Sequence, residues 1–289
     1  MRYSDIYKMI NIEKPKTINV VFPNSKPVYE ALKAATDKGY IKTRLYGIVD
    51  NINKFSKETS LTNFTIIKSD SPDEAIKNAI KDIRDGKGDV LMKGDIGTAS
   101  FLSPILKRDT GLRKGELLSH VAVCDTPGYH KILFVTDGAI NIDLNIDKRR
   151  AIANNAIEFV KKIAKPPIKI AFAAIIEKLN ERIPATIEAD KLAEEFTKRG
   201  YLAEGPIALD VIYSSLAAKK KKIDSKISGD VDIIIGPNIT TANFLLKHML
   251  YVDKADVGGI VMGAKVPLVL LSRSDNSRAK LNSIVLSLV

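Results

Sequence analysis

VDIIIGPNITTANFLLKHMLY (231–251) holds the fold in miniature. Val231 to Ile235 is almost purely apolar, the composition of a strand buried on both faces of its sheet. Gly236-Pro237-Asn238 turns the chain, and Thr241 to Tyr251 is helical. A buried strand that feeds a helix through a tight turn is half of a βαβ unit, and repetition of that unit builds a parallel sheet with helices packed on it.

The same rhythm runs outward in both directions. Toward the C-terminus, Gly259–Met262 and Pro267–Leu271 read as strands and Asn276–Leu288 as a closing helix. Toward the N-terminus, Glu188–Arg199 is a helix stopped by Gly200, Lys169–Ile175 a strand, and Asp147–Lys165 a long amphipathic helix ending at Pro166-Pro167. Leu117–Cys124 and Ile132–Thr136 flank Thr126-Pro127-Gly128-Tyr129, a turn signal that makes them an antiparallel hairpin. Further back, Ile18–Phe22, Arg44–Val49, Phe64–Ile67 and Val90–Met92 are strands. Helices follow at Val28–Asp37, from Pro72 with Ser71 as its N-cap, and at Phe101–Lys107. Ala75, Ile76, Ala79, Ile80 and Ile83 keep the 3.6-residue period. The polar stretch Asn141–Asp147 and the Pro166-Pro167 step are candidate domain crossings.

Composition narrows the class. The chain has 289 residues, 45% hydrophobic and 27% charged, a globular balance with room for two α/β domains. Met1 to Glu13 has no apolar core of a secretory signal. No stretch approaches the roughly 18 apolar residues of a membrane span. One cysteine and three histidines exclude an intramolecular disulfide and a thiolate-rich zinc site. The expected compartment is the cytoplasm. The net charge of +11 comes mostly from lysines without interleaved aromatics. That pattern reads as a solvated surface rather than a nucleic-acid interface, and its field would steer a polyphosphate such as CoA.

In a parallel α/β sheet ligands bind outside the carboxyl ends of the strands, so three strand-end segments carry the functional question. Met92-Lys93-Gly94-Asp95-Ile96-Gly97-Thr98-Ala99-Ser100 runs a strand into glycines, hydroxyls and a helix start. It has the ingredients of an anion site without being a dinucleotide or Walker loop; the alternative is an ordinary turn with a Thr or Ser cap. In Thr136-Asp137-Gly138-Ala139-Ile140-Asn141, Asp137 stands at a strand end as a ligand carboxylate or as a turn residue. Leu271-Ser272-Arg273-Ser274-Asp275-Asn276 places a hydroxyl, a guanidinium fork and a carboxylate within four residues, or else Ser274 or Asp275 caps the last helix. Gly258, Gly263 and Lys265 resemble a phosphate loop, but Ala264 breaks the Gly-Lys pair and a strand follows, though Lys265 could still face a phosphate. Glu177 and Glu181 read as surface residues, His120 as a core or interface histidine, His130 and His248 as surface residues, and Cys124 as a buried, inert thiol.

At these segments the sequence resembles the phosphate acetyl/butyryltransferase family, its butyryl branch in particular. The matching stretches are LMKGDIGTASFL (91–102), TGLRKGELLSHVAVCD (110–125), FVTDGAINI (134–142), PATIEADKL (184–192), GPIALD (205–210), DIIIGPNITTANFLLK (232–247) and GAKVPLVLLSRSD (263–275). They agree in order and spacing over about residues 85 to 280. The acetyl branch usually has Ser-Arg-Gly-Cys where this chain has Ser272-Arg273-Ser274-Asp275. Gly138, and Asp143-Leu144-Asn145 in place of a proline-containing turn, depart from the pattern without removing a polar group.

The resemblance implies a two-domain, three-layer αβα fold of the isocitrate/isopropylmalate dehydrogenase kind. One domain would comprise 1–142 plus 254–289, the other 143–253, with the active site in the cleft between them. The implied reaction is reversible exchange of the CoA of an acyl-CoA for inorganic phosphate, giving an acyl phosphate, with butyryl or a branched short chain as the acyl group and acetyl as the alternative. Ser272, Arg273 and Asp275 are the implied catalytic residues. Lys93, Gly94, Thr98, Ser100, Asp137, Asn141, Asn243 and Lys265 are the substrate-binding candidates. The family implies no tightly bound cofactor or metal, with CoA as substrate and product, a homodimer or higher oligomer, and a functional link to an acyl kinase. Rival readings are a decarboxylating dehydrogenase of the same fold, a degenerate member that binds CoA or acyl phosphate as a regulator, and a basic nucleic-acid binder.

Overall fold

The structure, a computed structural model, describes residues 1–115, 117–270 and 275–289. Two compact units divide them: a first unit of Ser4–Glu116 with Val257–Val289, and a second of Met1–Tyr3 with Leu117–Asp256.

Helices and strands alternate along the chain. α1 (Tyr3–Lys8), β1 (Lys16–Val21), α2 (Lys26–Asp37), β2 (Ile41–Gly47), α3 (Val49–Thr59), β3 (Phe64–Lys68), α4 (Pro72–Arg84), β4 (Val90–Lys93) and α5 (Thr98–Ile105) precede the crossing. The second unit follows with β5 (Ser119–Asp125), β6 (Leu133–Thr136), α6 (Ile146–Val160), β7 (Lys169–Ala173), α7 (Pro184–Lys198), β8 (Leu202–Ile207), α8 (Leu209–Tyr213), α9 (Ser215–Lys221), β9 (Ile233–Ile235) and α10 (Ile239–Tyr251). β10 (Asp256–Met262), β11 (Leu268–Val269) and α11 (Ser277–Leu286) return to the first.

Strands of the first unit lie in the order β3-β2-β1-β4-β11-β10. All neighbours are parallel except β10 and β11, which form a hairpin. β11 therefore runs beside β4 in the same direction, with Val269 opposite Met92. Its core joins Ile18, Val20, Leu32, Leu45, Val90 and Met92 with Ile284 and Leu288 of the C-terminal segment. In the second unit the order is β5-β6-β9-β7-β8, with β5 and β6 antiparallel, as the Thr126–Tyr129 turn predicts, and the rest parallel. Ile233, Ile234 and Ile235 are all buried, as an apolar strand covered on both faces requires. The rings of Phe134 and Phe159, and of Phe172 and Phe196, pack with centroids 6.3 and 5.4 Å apart.

The boundaries differ from expectation at one crossing. Residues 117–142, expected with the N-terminal domain, group with the second unit. The reason is the β5–β6 hairpin: β6 pairs with β9, with Thr136 opposite Ile235, which ties the hairpin to the middle of the chain. The later crossing, after Asp256, lies close to the expected 254. The structure also adds α1, α3, β8, α8 and α9 to the expected elements. α3 starts on Ile48, which offers no side-chain cap, and β8 contains Gly205 and Pro206, residues that argue against a strand. β8 lies at the end of its unit's strand order, where a missing N–H is tolerated.

Candidate active site

Three parallel neighbours, β1, β4 and β11, end side by side in the first unit, with Val21 opposite Lys93 and Val269 opposite Met92. The loops that leave β1 and β4 bring several predicted residues to one edge. Gly94 sits where its backbone N–H donates to Val21 O at 2.9 Å, and a Cβ there would meet that same oxygen at 2.5 Å and Phe22 O at 2.7 Å. Only glycine allows so close an approach. Asp95 N–H donates to Phe22 O at 2.9 Å, and the Asp95 carboxylate accepts from Asn24 N–H at 2.6 Å, so the β1 and β4 loops are laced together. Lys93 Nζ reaches forward to Gly94 O and Ile96 O, both at 3.1 Å, and braces its own loop.

The loop delivers the chain into α5 with Gly97 as N-cap, which has no side chain to cap with. The expected Thr or Ser cap is not formed: Thr98 is the first helical residue, and Thr98 and Ser100 are exposed. The first N–H groups of a helix have no intrahelical partner and carry the positive end of its dipole. Two hydroxyls thus stand beside an uncapped helix start, a setting suited to an anion.

Ser272 and Arg273 lie outside the described residues. After them, the Asn276 side chain accepts from Ala279 N–H at 2.8 Å and caps α11. Asp275 is therefore not the cap, and Ser274 lies outside the described residues. Asp275 is half-buried, and its backbone oxygen accepts from the buried Lys280 ammonium.

Lys265 is not brought to this edge. It lies in the turn that enters β11, before Leu268 and so at the start of that strand rather than at its carboxyl end. That turn is tied to residues 112–115: Lys265 N–H donates to Leu112 O at 2.7 Å, and Gly263 O accepts from Lys114 and Gly115 N–H. Gly263 has φ of 99°, a conformation that suits glycine and here serves the β10–β11 turn.

In the second unit, Asp137, Gly138, Asn141 and Asn243 form one cluster at the ends of β6 and β9. The Thr136–Asp137 peptide bond is cis. Asp137 is 1% exposed. Its carboxylate accepts from the backbone N–H of Ala139, Ile140 and Asn141 at 2.9, 3.1 and 3.2 Å, and from Asn141 Nδ2 at 2.5 Å. Asn141 Nδ2 also donates to Leu118 O, and Asn243 Nδ2 to Gly138 O, both at 2.8 Å. This carboxylate organises its own loop. The sequence placed it correctly at a strand end, but not the local donors that satisfy it.

Four other titratable groups from the sequence analysis have defined surroundings. Burial pushes the Cys124 thiol up to about 12, which leaves it protonated and inert. His130 pairs with Asp230 at 3.0 Å, His248 with Asp253 at 3.5 Å, and Glu177 with Lys221 at 2.7 Å. Among the described residues no three His, Cys, Asp or Glu side chains gather as metal ligands, and no helix is long and apolar enough to cross a membrane. Arg149 was not anticipated. It is fully buried on α6, donates to Glu188 at 3.3 Å, and leaves Nε and Nη2 without a hydrogen-bond partner among the described residues.

Comparison with known proteins identifies the family. Residues 67–288 match the family model described as Phosphate acetyl/butaryl transferase. The chain is 34% identical over 291 positions to a Bacillus subtilis (strain 168) protein named "Probable phosphate butyryltransferase", an alignment covering 100% of this chain and 97% of that one. A branched-chain phosphotransacylase from Enterococcus faecalis V583 matches in structure with a TM-score of 0.84 at 27% identity, over 94% of this chain and 97% of that one. A 4-hydroxythreonine-4-phosphate dehydrogenase from Klebsiella pneumoniae shares the fold alone, with a TM-score of 0.56 at 13% identity over 94% and 98% of the two chains. A dehydrogenase-like α/β fold, a strand-end loop built around Gly94 and a family match over most of the chain agree: the chain belongs to the phosphate acetyl/butyryl transferase family and is an acyltransferase.

Proposed function

We propose that this enzyme exchanges the CoA of a butyryl- or branched short-chain acyl-CoA for inorganic phosphate, by direct transfer with both substrates bound. The observation that carries this reading is the uncapped start of α5, behind the Gly94 loop and beside the strand that leads to Ser272 and Arg273. Exposed N–H groups and hydroxyls there suit a phosphate oxygen. A phosphate oxygen attacks the thioester carbonyl, the C–O bond forms as the C–S bond breaks, and CoA leaves as thiolate.

In this mechanism Arg273 orients phosphate and offsets charge in the tetrahedral transition state. Ser272 donates a hydrogen bond to phosphate or to the developing oxyanion. Asp275 exchanges the proton with the CoA sulfur, a role open to it because Asn276 caps α11 instead. The butyryl or branched preference rests on the Ser-Arg-x-Asp form of residues 272–275 and on the branched-chain phosphotransacylase likeness. Neither cofactor nor metal takes part, and the working form is a homodimer or larger.

The test is release of CoA thiol from an acyl-CoA panel, with and without phosphate. Phosphate-dependent release, fastest for butyryl or branched chains, is the expected result. A maximum at acetyl makes the enzyme a phosphate acetyltransferase, and phosphate-independent release makes it a thioesterase. Arg273→Ala is expected to lower turnover by orders of magnitude; near-normal turnover would remove Arg273 from the mechanism.

A further inference from the structure

Within the first unit, α4 and the far end of α5 enclose an open groove of about 650 Å³. Lys77, Lys81 and Arg84 line it from α4, and Lys107 from the segment after α5, over an apolar floor of Ile80 and Pro104. The three α4 cations stand at i, i+4 and i+7, one face of the helix. Lys81 is neutralised by Asp85, 2.8 Å away. Lys77, Arg84 and Lys107 are exposed, and their side chains have no ion pair or hydrogen bond among the described residues.

Lys81 is offset by Asp85, but Lys77 and Arg84, two turns apart on the same helix face, share one concave surface with Lys107 opposite, and like charges facing one another repel. An anion that spans the row would relieve that repulsion. From i to i+7 the row runs about 10 Å along the helix, longer than one phosphate can bridge. A guanidinium fork flanked by ammonium groups favours phosphate oxygens. We propose that this groove is a polyphosphate-binding site.

The groove is separate from the candidate active site. α5 begins at Thr98 beside the Gly94 loop and reaches the groove at its other end, about 12 Å away at 1.5 Å per residue. A polyphosphate held there stays off the β4 loop. The proposal stands whether or not the acyl-transfer reading holds, because it rests on other residues.

The overall charge of +11 would draw anions to any part of the surface, and the experiment separates that effect from a built site. Binding of inorganic tripolyphosphate and of ATP to the full chain is measured by calorimetry in phosphate-free buffer. Three proteins are compared: wild type, Lys77→Glu/Arg84→Glu, and Lys219→Glu/Lys220→Glu. The last pair lies on α9 in the second unit and changes net charge by the same amount. Groove reversal is expected to weaken both ligands about tenfold or more, and the α9 pair less than about twofold. Tighter ATP than tripolyphosphate binding would assign the apolar floor to the base; equal binding would assign the site to phosphates alone. Equal weakening by both variants, no tripolyphosphate binding to wild type, or capture only of RNA or an acidic protein would overturn the proposal. If urea unfolding shows that the double variant is damaged, Lys107→Glu applies the same test from the other wall.

Discussion

Asp137→Ala and Asp137→Asn separate two roles that one carboxylate can have. The Asp137 side chain receives four hydrogen bonds, three from backbone N–H groups and one from Asn141 Nδ2. Hydrogen bonds to a charged acceptor contribute about 1.5–3 kcal/mol each. Ala139 is exposed and Ile140 half-buried, so their N–H groups can return to water at little cost. Counting only the two Asn141 donors at the low end gives about 3 kcal/mol for the alanine variant. Asparagine keeps the shape and one acceptor but turns an NH₂ toward donors; about 1–2 kcal/mol is expected. For a domain of this size the alanine loss corresponds to roughly 6–12 °C in Tm. Thermal unfolding by circular dichroism, with hydrogen exchange at the 139–141 amides, reads both variants. An alanine variant with unchanged Tm and exchange, yet without acyl transfer, would refute the structural role and assign the carboxylate to the substrate.

Gly94→Ala would bring a Cβ to within 2.5 and 2.7 Å of two backbone oxygens; a loss of about 1–3 kcal/mol together with slower phosphate-dependent CoA release is expected, and wild-type values in both assays would contradict the close approach. Asn276→Ala should cost about 1 kcal/mol as a lost N-cap, whereas Asp275→Asn should cost less stability but slow turnover; the reverse order in urea unfolding would make Asp275 the cap. At Asp230 burial raises the carboxyl, but hydrogen bonds from Lys131, Lys169 and His130 more than offset it and hold it well below the usual carboxylate range. A depressed folded value means that this stabilisation is complete above about pH 4 and is lost as pH falls below it. Asp230→Asn should therefore be less stable than wild type at neutral pH and converge with it in acid, and a constant difference across an acid titration would be inconsistent with the ion cluster.

Strong periodic signals were legible in the sequence and weak ones were not. Ser71 and the apolar spacing behind it foretold α4, where Ser71 Oγ accepts from Glu74 N–H at 3.2 Å. The run at 231–235 foretold a strand covered on both faces. α3 escaped because Ile52 and Phe55 share its inner face with Ser56 and Thr59, so hydrophobicity alone shows no stripe. The first domain crossing escaped because the β5–β6 hairpin is local, whereas its attachment to β9 depends on residues a hundred positions later. At the site, the glycines after β4 were legible as a turn into a helix start, but the close approach of Gly94 to the β1 loop was not. The duties of Asp137 were not, since its partners are mostly main-chain N–H groups that every sequence supplies. Arg149 hid among Lys148 and Arg150, in a basic run that reads as a solvated helix face.

β11 is only two residues long, but its place in the order of synthesis matters. It lies between β4 and β10, yet some 175 residues separate it from β4 along the chain. A nascent chain translated N-terminal first displays β1 through β4 with the β4 side unpaired while the whole second unit is being made. β11 and the C-terminal segment with α11, which supplies Ile284 and Leu288 to the first unit's core, emerge last. The second unit can therefore mature on the ribosome, while the first waits with an open strand edge that needs protection from other chains.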